Sequence, residues 1–139
     1  VSRLIYVDSS VLLELYLGQP GADEAREILD RPDAKIASWL LLVEVPIVLR
    51  RALNRPEDRQ LLTACLERLD EDVQDIGLVN GLTDVAIRIR SDHRFAECRS
   101  LDALHACTAL LMREWTGRVV RVETFDGRLA RLAAALDLR

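Results

Sequence analysis

Aromatic residues are scarce in this chain: two Trp, two Tyr and two Phe among 139 residues. That argues against base stacking as the main mode of binding, because such platforms need aromatic faces. Lysine occurs once, at Lys35, so nearly all the positive charge is arginine, whose guanidinium forks onto phosphate and carboxylate. Cysteine occurs three times, at Cys65, Cys98 and Cys107, with no C-x-x-C spacing. Neither a disulfide framework nor a zinc knuckle follows, and a reducing compartment fits best. No basic segment leads into an apolar one near the start, and no apolar run is long enough to span a bilayer. The expected setting is cytoplasmic. A basic excess is also missing: the net charge is −4, which neither supports nor excludes a nucleic-acid substrate.

What the chain does have is apolar content, at 50% of its residues, carried mainly by Leu, Val and Ala. Together with its length this predicts one domain over residues 1–139 with a substantial core. Short β-branched runs alternate with helical patterns. RLIYVD (3–8) reads as a strand ending in Asp8, and SSVLLELYLG as a helix capped by Ser9 or Ser10 and stopped by Gly18 and Pro20. GADEAREILD, the helix with Glu44 capped by Ser38, the Pro56 helix and a helix from Thr83 follow, with short strands at KIA and DVQDIGL. Ser100 is the expected cap of LDALHACTALLMREW, and GRVVRVETFD reads as a strand ending in Asp126 before a last helix. This alternation predicts an α/β domain with a parallel sheet.

From Trp39 to Leu49 every residue but Glu44 is apolar or Pro46. A lone buried carboxylate is costly unless something pairs with it. Three other acids fall at telling places: Asp8 and Asp126 at strand ends, Asp102 in the first turn of a helix. Ligands of open parallel sheets collect beyond the carboxyl ends of the strands, so these acids are expected to converge there. Converging carboxylates raise one another's pKa, and a hard divalent cation, Mg²⁺ or Mn²⁺, relieves the conflict. Each acid also has a bland reading. Asp8 is a helix cap, Asp102 complements a helix dipole, Asp126 is a turn residue before Gly127, and Glu44 snorkels to solvent or pairs with Arg50 or Arg51.

The stretches YVDSSVLLELYL, the Val-Glu of LLLVEVPIVLRRAL, CRSLDALHACTA and VETFDGRLARLAAAL resemble, in order and spacing, the four motifs of PIN-domain ribonucleases. They look most like the VapC-type toxins of toxin–antitoxin pairs, and the resemblance covers nearly the whole chain. It implies a PIN-like three-layer α/β/α sandwich with a short parallel sheet. It implies that Asp8, Glu44, Asp102 and Asp126 hold Mg²⁺ or Mn²⁺, and that the activity is endonucleolytic cleavage of RNA by metal-activated water. It further implies a homodimer silenced by a cognate antitoxin, which lays an apolar helix near the early helices. Ser10 and Thr124 are supporting candidates, Ser10 with helix capping as its expected main role. His105 reads as a packing or hydrogen-bonding residue near Asp102, and Arg99 as a phosphate contact or a solvated arginine. Two departures stand out. Pro46 is expected to kink its helix or lie near its first turns, tilting Glu44, and the residues after the last helix leave room for only a very short edge strand.

Rival chemistries fit less well. A haloacid-dehalogenase-like phosphatase needs a second Asp where Ser10 stands, and a receiver domain needs a lysine late in the chain, where none occurs. An RNA-processing PIN nuclease, a catalytically silent binding module and an α/β domain whose acids are only caps remain as alternatives.

Overall fold

The computed structural model describes residues 2–139. Four strands form one sheet: β1 (Leu4–Val7), β2 (Ala34–Ser38), β3 (Ile76–Val79) and β4 (Val120–Glu123). Their order is β3-β2-β1-β4, and every pairing is parallel. Among the described residues seven α-helices connect and cover them: α1 (Ser9–Tyr16), α2 (Ala22–Asp30), α3 (Leu41–Ala52), α4 (Arg59–Asp72), α5 (Leu82–Ser91), α6 (Ser100–Thr116) and α7 (Gly127–Ala135). The expected three-layer sandwich is what the chain forms.

Strand alternation sorts the layers. Leu4 and Tyr6 of β1 join Val120, Val122 and the buried faces of α5, α6 and α7 in one core. Ile5 and Val7 point the other way, onto Val11, Ala25 and Ile28 of α1 and α2. Beside them, Ala37 and Ile76 of the sheet pack with Leu12, Leu41, Val45, Leu49, Cys65 and Leu69 of α1, α3 and α4. All four residues of β1 are buried, as a central parallel strand covered on both faces must be.

Helix ends follow local chemistry. Beyond α1 the chain turns at Gly18, whose φ of +58° is in the left-handed region that disfavours side chains. Gly117 stops α6 in the same way, with φ +65° and its N–H donating to the Arg113 carbonyl.

Several boundaries differ from those the sequence suggests. Asp8 and Asp126 lie just past their strands, as the N-caps of α1 and α7, and β4 already ends at Glu123. Ser9 and Ser10 sit inside the first turn of α1 instead of capping it. Ser100 is the first residue of α6, with Arg99 at the N-cap. Ser38 closes β2, and its Oγ accepts from the Leu40 N–H, so it caps a turn before α3 and not the helix. Strand β3 begins only at Ile76, because Val73–Asp75 form a 3₁₀ turn. Pro46 is the sixth residue of α3, and the helix runs through it. Its missing N–H would have paired with the carbonyl of Leu42, an exposed residue. After α7 the Leu138 carbonyl accepts from the Val122 N–H, a single backbone bond in place of an edge strand. Among the described residues, no helix is long and apolar enough to cross a membrane.

Candidate active site

The chain runs from β1 to β2 and β3 on one side of the sheet, then returns to β4 on the other side of β1. The connections leaving β1 and β4 therefore diverge, which opens a crevice at their carboxyl ends. Asp8 leaves β1 and Asp126 follows β4, so both face this crevice. Glu44 reaches it from the first turn of α3, and Asp102 from the first turn of α6. These four acids line one cleft of about 380 Å³, together with Ser10, Arg99, His105 and Arg128. The cleft brings together every acid singled out from the sequence.

Asp8 is only 4% exposed, and its carboxylate is well held. Ser10 Oγ donates to Oδ2 at 2.7 Å, and Thr124 Oγ1 donates to the same oxygen at 2.8 Å. Each hydroxyl in turn accepts a backbone N–H, from Phe125 and Asp126 respectively. Ser10 thus ties the start of α1 to the turn after β4. Its main role is to orient a carboxylate, where the sequence suggested a cap. Asp126 accepts from the N–H groups of Arg128 and Leu129 through Oδ1, so it caps α7 while lining the cleft.

Glu44 finds its partner in His105, not in Arg50 or Arg51. Nε2 of His105 donates to Glu44 Oε1 at 2.8 Å and lies 3.5 Å from Asp8 Oδ1. Nδ1 meets the Tyr6 hydroxyl at 2.6 Å, and that hydroxyl accepts the Ser38 N–H. In the neutral ring Tyr6 donates to Nδ1; in the cation Nδ1–H donates to the Tyr6 oxygen. In either state Nε2–H faces Glu44. His105 is 3% exposed, and burial opposes its charged form. The Glu44 hydrogen bond and the charges of Asp8, Glu44 and Asp102 outweigh that, and raise its pKa. Burial also pushes the Tyr6 phenol far up, with Asp8 adding to the effect, so it stays protonated. Sequence spacing placed His105 beside Asp102; the fold aims it at Glu44 and Asp8. Tyr6 was missed, since a buried strand tyrosine carries no signal separating it from core.

The Asp102 carboxyl is pushed up by burial first, then by Asp126 and Asp8, with Arg128 and Arg99 pulling it back. Among the described residues, no group of three or more His, Cys, Asp or Glu side chains is arranged to hold a metal ion. The donor chemistry fits one all the same. Asp102, Glu44 Oε2 and Asp126 Oδ2 accept no hydrogen bond among the described residues. Asp8 Oδ1 receives only a 3.4 Å contact from Ser9 and the 3.5 Å approach of His105. Three of the four acids thus keep an oxygen that accepts no hydrogen bond, Asp8 Oδ1 is only loosely held, and all four line the cleft, the hard donor set that Mg²⁺ or Mn²⁺ takes.

The family model for the PIN domain matches residues 5–135. The chain belongs to the PIN domain family. This PIN domain is also 30% identical over 140 residues to Ribonuclease VapC46 of Mycobacterium tuberculosis, a match that covers 96% of this chain and 93% of that protein.

Proposed function

We propose that this PIN domain is a Mg²⁺- or Mn²⁺-dependent endoribonuclease, the toxin of a toxin–antitoxin pair acting in the cytoplasm. The observation that carries the reading is the convergence of Asp8, Glu44, Asp102 and Asp126 on one cleft, with an oxygen free of hydrogen bonds on each of the last three and only long contacts at Asp8 Oδ1. These four side chains would hold the cation. A divalent cation, when bound, activates water and offsets charge on a phosphoryl oxygen. The chain's own part is positional: Ser10 and Thr124 fix Asp8, the α7 N-terminus fixes Asp126, and His105 holds Glu44 toward Asp8. The similarity to Ribonuclease VapC46 supports RNA as the substrate and a VapC-like role.

Two partners belong to this reading. Leu42, Val43, Ile47 and Val48 of α3 are exposed together, an apolar face that suits self-association as a homodimer. The second partner is an antitoxin with an apolar helix seated near the early helices. Co-purification of only free protein from the intact operon would count heavily against it.

The direct test is cleavage of a panel of structured RNAs by purified protein with Mg²⁺, with Mn²⁺ and with EDTA, beside an identically prepared Asp102→Asn protein. Metal-dependent cutting that the variant lacks is expected. Equal cutting by both, or none by either, would leave a binding module.

A further inference from the structure

The overall charge is negative, yet the arginines are not evenly spent. Arg31, Arg55, Arg68, Arg88, Arg94 and Arg121 pair with carboxylates, and Arg113 and Arg118 donate to backbone carbonyls. Arg99, Arg128 and Arg131, like several other arginines, make no ion pair and no side-chain hydrogen bond among the described residues, and all three are exposed; what sets them apart is their place. They stand together. They line a second cleft of about 270 Å³ between the start of α6 and the first turns of α7, with Glu97 and Asp102 as its acids. Against three arginines the cleft sets two acids, so its lining keeps an excess of positive charge that an anion offsets.

This cleft is not separate from the first. Arg99, Asp102 and Arg128 line both, so acid cleft and arginine cleft adjoin as one groove that is acid-rich at one end and arginine-rich at the other. Gly127 keeps the junction low. A Cβ there would come within 3.4 Å of the Arg131 guanidinium, which folds back toward the Asp126–Gly127 turn.

We propose that Arg99, Arg128 and Arg131 form a phosphate-binding groove for the RNA backbone adjoining the linkage that is cut. The proposal rests on the nuclease reading and extends it. A phosphodiester placed over the four acids is covalently followed by another, and the groove leads the strand away past three forked cation donors. The contacts are to backbone, so they fix the position of the strand and carry no sequence information of their own.

The test uses the full chain carrying Asp8→Asn, so that RNA stays intact, with Mg²⁺ present. Binding of a labelled single-stranded oligoribonucleotide is followed by fluorescence anisotropy from 50 to 200 mM salt. Each single-stranded phosphate contact contributes about 0.7 to the salt slope, so replacing all three arginines by Gln lowers the slope by about 2. Across that salt range the parent then loses affinity about 20-fold more than the triple variant. Replacement by Lys keeps most of the slope, and Arg26→Gln, on α2, leaves it unchanged. Melting temperatures of all variants should match, because these side chains hold nothing in the fold. An unchanged slope in the triple Gln variant, with wild-type protein cutting RNA normally, overturns the groove and leaves the nuclease standing. Wild-type protein that neither binds nor cuts RNA overturns both. Arginine-dependent capture of an oligoglutamate peptide in preference to RNA reassigns the groove to an acidic protein segment and overturns the proposal.

Discussion

Two helices carry an acid into the cleft from opposite layers, and they are packed in opposite ways. Helix α6 is buried from Ala103 to Leu111 except at Leu104, with Ala, Cys and Thr letting it lie close to the sheet. Helix α3 buries only the stripe Leu41, Val45 and Leu49, and turns Leu42, Val43, Ile47 and Val48 to solvent. Asp102 is therefore placed by a helix locked on all sides, and can do without side-chain partners. Glu44 rides a helix held along one edge, and a hydrogen bond from His105 on α6 fixes its carboxylate. The rigid helix steadies the acid of the looser one.

The largest effect expected is loss of cutting. Asp8→Asn and Asp102→Asn should each lower RNA cleavage by about a thousandfold or more with the circular dichroism spectrum unchanged, since the acids line a cleft and support no core. Unfolding of either variant would mean that its acid is structural.

Next comes the packing of the two helices. Leu110→Ala in α6 and Leu49→Ala in α3, both essentially buried, should each cost about 2–5 kcal/mol in denaturant melts. The Leu110 change should be the costlier, because a surrounded site collapses less. Equal costs would erase the contrast between the helices.

His105 tests the link between them. His105→Leu leaves Glu44 and the Tyr6 hydroxyl without their ring partner, and should lower cleavage about 10- to 100-fold, the usual effect of losing a side chain that orients a ligand. His105→Gln keeps an N–H near Glu44 and should recover part of that loss. If Leu and Gln behave alike, the ring only fills space.

Ile47→Glu charges the exposed face of α3. Sedimentation should show a shift toward monomer at micromolar concentration, with the melting temperature of the monomer moved by only a degree or two. No shift in mass would count against α3 as a face for self-association.

The smallest effect concerns the pH dependence of Asp102. Its folded-state pKa is raised, so the ionised acid weakens the fold at neutral pH in EDTA. Asp102→Asn should therefore melt about 1–2 °C higher at pH 7, a small gain because the group is largely solvated. The gain should vanish as pH falls below the ordinary aspartate range, where the wild-type acid is protonated in both states. A gain that persists at low pH would trace to packing instead.

The parallel α/β class was legible because strand-like and helix-like periodicities alternate plainly from Leu4 to Leu136; the three layers came from the resemblance of the motifs, and the strand order β3-β2-β1-β4 from the structure alone. The four acids were legible because each breaks a pattern: Glu44 interrupts an apolar run, Asp8 and Asp126 follow strand patterns, and Asp102 opens a helix. Boundaries were not. Ser9, Ser10, Ser38 and Ser100 all look like helix caps, and which residue caps depends on where the chain turns, a tertiary fact. The Tyr6–His105–Glu44 chain was hidden for a similar reason. Its members lie 38 and 61 positions from Glu44, and only the stacking of α6 on β1 brings them together. Arg128 and Arg131 gave no sign among so many other arginines.

Strand β1 lies at the centre of the sheet, yet its neighbour β4 arrives more than a hundred residues later. Loop closure on that scale makes this pairing late in folding, and during synthesis β4 leaves the ribosome after every other strand. Thr124, which fixes Asp8, and Asp126 itself come with it. A growing chain thus carries three of its four acids with no finished cleft, and the cleft closes only once the last strand of the sheet has left the ribosome.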